Sequence, residues 1–231
     1  MLKYFVLFTL GYYTLFASQA ALDAFKKQDY EKAFSLYQKE AKAGDLASQN
    51  ALSYLYFNGI GTAKDLEKGL WWLEKAAKAG DLRAQYDLGM IYLSGQPLEK
   101  DSIKARYWLQ KAANQNKPEA QYNLALIYYN GDGVDQNVSQ SALLLESAAQ
   151  QGYQPAVQNL GAVYMRLLKF DKAIPWLEKN AKAGDAHSAY LLGEIYISKG
   201  EKDHARVWIL QAMEAGMPEA KVLWQEQKFQ P

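Results

Sequence analysis

Small, leucine and tyrosine residues recur along this chain at fixed distances from a repeated marker residue. Consecutive markers are 36 residues apart three times and then 32 residues apart twice. The markers are Gly44, Gly80, Asn116, Gly152, Gly184 and Gly216. In the first five intervals a small residue lies four positions after the marker, leucine eight, another small residue nine and tyrosine twelve. Because such spacings place side chains on one face of an α-helix, the pattern predicts a first helix after each marker.

A second helix is predicted before each marker, where Trp72 and Trp108 are each followed by lysine and paired alanines. The repeated aromatic positions are expected to be core, and the small residue at position nine lets a neighbouring helix approach closely. Gly or Asn at the marker can adopt the left-handed conformation that ends a helix. The expected N-caps of second helices are Asp29, Asp65, Asp101 and Asn137. The pattern predicts an all-α fold of antiparallel helix pairs, with roughly 11 helices.

Residues 80–116 contain AQYDLGMIYLSG, a first helix and its loop, followed by KARYWLQKAA, a second helix. This order of motifs resembles the Sel1-like repeat. Residues 152–216, whose helices are joined by connections four residues shorter, are more similar to the tetratricopeptide repeat. The resemblance covers about residues 22–224 and implies a right-handed α/α superhelical solenoid. We expect a single solenoid domain over residues 21–231, with repeat units at about 21–44, 44–80, 80–116, 116–152, 152–184 and 184–216 and a C-terminal capping helix at 217–228.

The first 20 residues differ from the repeats and have the organisation of a secretory signal peptide. Lys3 precedes a 13-residue apolar run, Tyr4–Phe16, and small Ser18 and Ala20 precede a predicted cleavage site. The run is shorter than the roughly 20 residues of a membrane span. We therefore expect an exported, periplasmic protein with no stable membrane insertion after cleavage. The alternative is an inner-membrane anchor formed by uncleaved residues 4–16.

Composition argues against several kinds of chemistry. The sequence has 26 basic and 25 acidic residues, and cleavage after residue 20 removes only Lys3, which leaves 25 of each. A neutral chain lacks the clustered positive charge that nucleic acid binding requires. Without cysteine there is no thiolate nucleophile, and 2 histidines offer little for a metal centre. We expect no catalytic residue, no cofactor and no metal, and we retain a β-lactamase-like or cell-wall hydrolase as the less favoured alternative.

First helices line a concave face in tetratricopeptide arrays, and the resemblance implies the same arrangement here. The side chains expected to be exposed on that face lie 6, 10, 13 and 14 positions after the marker and are rich in Tyr, Met, Phe and Leu. Aromatic surfaces with few charges are typical of binding hot spots. The predicted partner-binding groove consists of Asn50, Tyr54, Phe57, Tyr86, Met90, Leu93, Tyr122, Leu126, Tyr129, Asn130 and Arg166. The alternative is that packing between neighbouring first helices buries part of this set, position 13 most of all.

Proteins that resemble the Sel1-like family are usually interaction scaffolds, and bacterial members are commonly exported adaptors. We therefore expect an exported, non-enzymatic adaptor that binds a protein or peptide of unknown identity in its concave groove. An inhibitor or immunity protein that blocks a toxin enzyme would use the same groove and is the first alternative. The pattern specifies no oligomeric state.

Overall fold

The computed structural model describes residues 19–229, and in this range every regular element is an α-helix. The 13 helices are α1 (Gln19–Lys26), α2 (Tyr30–Lys42), α3 (Leu46–Asn58), α4 (Leu66–Lys78), α5 (Leu82–Ser94), α6 (Ser102–Asn114), α7 (Pro118–Asn130), α8 (Val138–Gln150), α9 (Gln154–Arg166), α10 (Phe170–Lys182), α11 (Ala186–Ser198), α12 (Lys202–Glu214) and α13 (Pro218–Glu226). The predicted all-α fold of consecutive helix pairs is confirmed. The expected number of about 11 helices is too low, because each of the six repeat units contributes a full pair before the last helix. The predicted signal peptide lies almost entirely outside the described residues.

The chain forms two compact units. The first comprises the described residues up to Ala120 together with Asp132–Val134, and the second comprises Gln121–Gly131 and the described residues from Asp135 onward. In the first unit, consecutive helices from α1 to α6 pack against one another. In the second unit, helices α8 to α13 pack in the same consecutive manner, and the first helices α9 and α11 also touch.

Local sequence signals define both ends of the helices as predicted. Carboxylate oxygens of Asp65 and Asp101 accept hydrogen bonds from the backbone N–H groups of Lys68 and Lys104, each at 2.9 Å, which caps α4 and α6. Asp29 and Asn137 cap α2 and α8 in the same way. At the other end, all six markers have positive φ, including Asn116 at 61°. The interpretation of Asn116 as a substitute for glycine in a left-handed helix terminus is therefore confirmed.

The small residue at position nine brings the two helices of a pair into close contact. A Cβ atom on Gly89 of α5 would lie 2.7 Å from Cγ of Leu109 on α6 and 3.1 Å from the Leu109 backbone nitrogen. Gly161 of α9 faces Leu177 of α10 in the same way. Because real Cβ atoms do not approach other carbon atoms so closely, the glycines set the separation of these helices. The prediction of close approach is confirmed.

The repeated apolar positions form the core. The leucine at position eight is fully buried in each of the five repeats: Leu52, Leu88, Leu124, Leu160 and Leu192. The prediction that the repeated tryptophans are core is confirmed for Trp72 and Trp108, which are 7% exposed. Trp176 and Trp208, in the short-loop repeats, are only partly buried. The repeated tryptophans are therefore more completely enclosed in the first unit than in the second.

Buried glutamines join the first helices α3 and α5 to the second helices that precede them, α2 and α4. The Gln49 side-chain amide donates a hydrogen bond to the carbonyl of Ala41 at 3.1 Å, and Gln85 donates to the carbonyl of Ala77 at the same distance. These carbonyls lie in the last turn of a helix and also accept a backbone hydrogen bond, Ala41 from the N–H of Gly44 at 3.2 Å and Ala77 from the N–H of Gly80 at 3.1 Å. The glutamines thereby add a second hydrogen bond to each carbonyl and connect successive repeats.

Candidate functional site

In the first unit, Asn50 of α3 contacts Asp87 of α5 through a partly buried hydrogen bond. The Asn50 side-chain nitrogen Nδ2 donates to Oδ2 of Asp87 at 3.3 Å, and Asn50 is only 3% exposed. The two residues are 37 positions apart and lie on the first helices of consecutive repeats. Asn50 lies six positions and Asp87 seven positions after its marker. We call the side of the first helices that carries these two positions the first-helix face.

Burial sets the electrostatics around this contact. It raises the pKa of Asp87 from its ordinary value of 3.8 to about 6, although the Asn50 hydrogen bond and the positive charges of Arg83 and Lys117 oppose the increase. Burial also raises the pKa of Asp81, the N-cap of α5, and the Asp81 charge raises that of Asp87 further. We call Asn50, Asp81, Arg83, Asp87 and Lys117 the Asp87 cluster. Charged groups held at such an energetic cost are enriched at functional sites.

An aromatic side chain borders the Asp87 cluster. The Lys117 ammonium lies 4.8 Å from the ring centroid of Tyr86, which is half-buried on α5. Lys117 also forms a 3.2 Å ion pair with Glu119. A tyrosine next to fixed charges offers a partner both apolar contact area and directional hydrogen bonds.

In the second unit the same two repeat positions meet again, but without charge. Nδ2 of Asn159 on α9 lies 3.4 Å from the Tyr122 hydroxyl and donates to the Pro155 carbonyl at 2.7 Å. The Tyr122 ring packs edge-on against Tyr153, with 5.4 Å between centroids. Positions six and seven of consecutive repeats therefore form a hydrogen bond in both units, and the pair contains an ionisable acid only in the first.

A second polar group in this unit contains three of the residues predicted for the groove. The Arg166 guanidinium lies 4.7 Å from the Tyr129 ring centroid, and its Nη2 donates to Oε1 of Gln136 at 3.4 Å. Gln136 in turn donates to the Tyr129 carbonyl at 2.7 Å. Asn130 and Arg166 are exposed, and Tyr129 is half-buried. These side chains are available to a partner and are held in place by their neighbours.

Part of the predicted groove lies in the core. Phe57 is 6% exposed and Leu93 is 1% exposed, so the expectation that they are exposed is wrong. The reason is helix pairing, because the Phe57 ring lies against Gly69 of α4, where an added Cβ would be 2.7 Å from the ring. The other predicted groove residues that are buried are Asn50, Met90, Tyr122 and Leu126. Those that retain exposed surface are Tyr54, Tyr86, Tyr129, Asn130 and Arg166. A binding role for these five residues stays a prediction.

Sequence reasoning missed Asp87, which is the most strongly perturbed acid on this face. A signal was present in the sequence, because position seven after the marker is polar in three consecutive repeats, as Asp87, Asn123 and Asn159. Position seven precedes the buried leucine of position eight, so it lies at the border of the core. A polar residue repeated at such a border indicates a partner on the neighbouring helix.

Two negative findings apply to residues 19–229 only. No group of three or more histidine, aspartate or glutamate side chains is arranged so that it could hold a metal ion. None of the helices in this range has both the length and the apolar character that crossing a membrane requires.

Paired helices in a fixed repeat, with polar and aromatic side chains on the first helices, define a helical repeat protein. The Sel1 repeat profile matches four consecutive segments, residues 10–45, 46–81, 82–117 and 118–153, and a tetratricopeptide repeat profile matches residues 186–215. The Sel1 matches cover more than half of the chain, so the chain belongs to the Sel1 repeat family. Members of this family are generally non-catalytic interaction scaffolds.

Solved structures of repeat proteins are similar to this chain. A Sel1 repeat protein from Oxalobacter formigenes is 27% identical with a TM-score of 0.63, and the match covers 87% of this chain and 83% of that one. A protective antigen of uropathogenic Escherichia coli with an SLR fold is also 27% identical, with a TM-score of 0.69 over 86% of this chain and 45% of its own. An immunity protein from Pseudomonas aeruginosa is 18% identical, with a TM-score of 0.42 over 88% of this chain and 85% of its own. No curated protein matches this chain by sequence.

Proposed function

We propose that this chain is an exported, non-enzymatic adaptor that binds a partner protein on the first-helix face. The observation that supports this role most directly is the Asp87 cluster. A structural role alone would favour a neutral side chain at Asp87, as at Asn159 in the equivalent position of the second unit. Burial disfavours the ionised form of Asp87, so a carboxylate at this position lowers stability. A carboxylate retained at such a cost supports a role in recognising a partner.

The chemistry of the cluster indicates what the partner presents. A carboxylate has about four lone-pair sites for hydrogen bonds, and Asn50 uses one on Asp87. A lysine or arginine of the partner would form a charge-assisted hydrogen bond with Asp87 and favour its ionised form. Tyr86 and Tyr54, which are half-buried, would supply apolar contact beside this charge. The proposed ligand is therefore a basic segment of a protein.

The proposed location, the periplasm, is supported by the amino-acid sequence of residues 1–20. Mass spectrometry of the protein purified from its own cells tests this proposal. An N-terminus at Ala21 supports cleavage and export. An intact Met1 would overturn cleavage and support the alternative of an anchor formed by residues 4–16.

Site-specific photo-crosslinking tests the binding role. Tyr86 is replaced by p-benzoylphenylalanine in cells, and the captured protein is identified and then purified. We expect Asp87→Asn to weaken its binding at least about tenfold, since a charge-assisted contact is lost. Asp203→Asn removes the same charge from the exposed surface of α12 and should leave affinity unchanged. Unchanged affinity of Asp87→Asn for the captured partner would contradict the proposed site.

The same purified proteins test the alternatives. Inhibition of a captured enzyme by the chain would show that the adaptor is an inhibitor or immunity protein. Hydrolysis of a β-lactam by the purified chain would overturn the non-enzymatic part of the proposal.

A further inference from the structure

A cavity of about 420 Å³ opens in the second unit at the beginning of α10. Its lining residues are Leu168, Lys169, Phe170, Asp171, Lys172 and Lys199. Leu168 is 75% exposed and places an apolar side chain at this site. None of these residues belongs to the first-helix face, so the cavity is a separate feature of the fold.

In the first unit, the equivalent place is filled by a loop of the chain itself. Phe170, Tyr30 and Ser102 each lie 14 residues before their marker. A Cβ atom on Gly61, in the loop after α3, would collide with the backbone carbonyl of Tyr30. A Cβ atom on Gly133 would lie 2.7 Å from Cβ of Ser102. The glycine-containing loops therefore cover the beginning of a second helix by direct backbone contact.

Loop length explains why α10 is not covered in this way. Seven residues separate α3 from α4, but only three, Lys199–Glu201, separate α11 from α12. The long loop of the first unit includes Gly61, which meets the Tyr30 carbonyl, and Ile60, which packs against the hydrophobic core. The short loop is four residues shorter. The short loop reaches the cavity only through Lys199. In its own repeat, the cavity therefore lies where the Gly-x-Gly segment of a longer loop would lie. The short loop lacks this segment.

The charges around the cavity indicate which segment would fit. Three lysines and one aspartate line it, and Nζ of Lys199 pairs with Asp171 at 3.1 Å. The Lys172 ammonium lies 5.4 Å from the Tyr164 ring centroid. The excess positive charge favours an acidic occupant. Asn130–Asp135 of the chain, with the sequence NGDGVD, combines glycines with two aspartates and contains Gly133.

We infer that the cavity accepts an acidic, glycine-containing segment of a partner protein. That segment takes the place that the Gly-x-Gly loop occupies in the first unit. Glycine is required where the backbone touches the first turn of α10, because a side chain at the equivalent point meets the Tyr30 carbonyl. The apolar rim and the lysines contribute the remaining affinity.

A peptide with the sequence NGDGVD, blocked at both ends and labelled with a fluorophore, serves as the probe for fluorescence polarisation with the full chain. We expect saturable binding that Leu168→Asn weakens about tenfold, because an apolar contact is lost. Asn is suited to this position because Leu168 has a φ of 56°, in the left-handed region, so the variant remains folded. Leu143→Asn, at a leucine that is 59% exposed on α8, is the matched control and should bind as the native chain does.

A loop graft provides a second, independent measurement. Replacing Lys199–Glu201 by the seven residues Gly59–Asp65 should fill the cavity within the chain and abolish peptide binding, while circular dichroism shows an unchanged helix content. The peptide NADAVD, without glycine, should bind at least about tenfold more weakly than NGDGVD. Absence of NGDGVD binding to the native chain would overturn the inference. Equal binding to the grafted chain, or of NADAVD, would also overturn it.

Discussion

Replacing Asp87 by asparagine should stabilise the first unit while it weakens partner binding. Asn has the shape of Asp and can accept the hydrogen bond from Asn50 through its Oδ1, so the substitution removes the charge and keeps the contact. The pKa of Asp87 is raised from 3.8 to about 6. At 1.36 kcal/mol per pKa unit, ionisation of Asp87 lowers the free energy of unfolding by about 3 kcal/mol.

The sign of the pH dependence follows from the direction of the shift. Between pH 3.8 and about 6 the folded state binds more protons at Asp87 than the unfolded state does, so the Asp87 contribution to stability falls as the pH rises. Above pH 6 the loss is complete. The difference between Asp87→Asn and the native chain should therefore be about half a kcal/mol at pH 4 and about 3 kcal/mol at pH 7.

Urea denaturation followed by circular dichroism at several pH values measures this difference. Groups with lowered pKa, such as Asp65 and Asp101, change stability in the opposite direction, but they are common to both proteins and cancel in the comparison. Asp203→Asn controls for the loss of one negative charge. A stability difference that is the same at pH 4 and pH 7, or a variant less stable than the native chain at pH 7, would refute the reasoning.

Five further substitutions, at four positions, test the packing and the helix ends by denaturation at pH 7. Gly89→Ala should lower stability by about 1–3 kcal/mol, because its Cβ meets the branch point and backbone of Leu109; Gly193→Ala, which meets the flexible end of a side chain, should cost less, and equal costs would contradict the packing argument. Asn116→Gly should be neutral or stabilising and Asn116→Ala destabilising by about 1 kcal/mol, since φ is 61°, and the reverse order would contradict the left-handed terminus. Asp101→Ala should lower stability through loss of the α6 cap. That cost should disappear as the pH falls through the lowered pKa of Asp101, and a cost independent of pH would contradict the capping role.

The helices and their ends could be predicted because their causes are local in the sequence. The Asp65 side chain caps a backbone N–H three residues away, and Asn116 ends its helix through its own φ angle. The same local signals then recur at equivalent positions of successive repeats.

The environment of the first-helix face could not be predicted in the same way, because it depends on helix packing. Phe57 shares its helix with the half-buried Tyr54, and only the close approach of Gly69 places its ring in the core. The pKa of Asp87 depends on Asn50, which is 37 residues away in the sequence. The cavity at α10 arises from residues that a short loop lacks, and its lysines come from two separate segments.

The buried glutamines have a consequence for how such chains change in length. Gln49 and Gln85 donate equivalent hydrogen bonds to the carbonyls of Ala41 and Ala77. The two donors are 36 residues apart, and so are the two acceptors. A duplication of residues 45–80 would therefore supply a donor for the existing acceptor and a new acceptor for the following donor. Whole repeats can therefore be gained or lost during evolution while these hydrogen bonds are kept. The condition is that the inserted or deleted segment begins and ends at equivalent positions of the repeat.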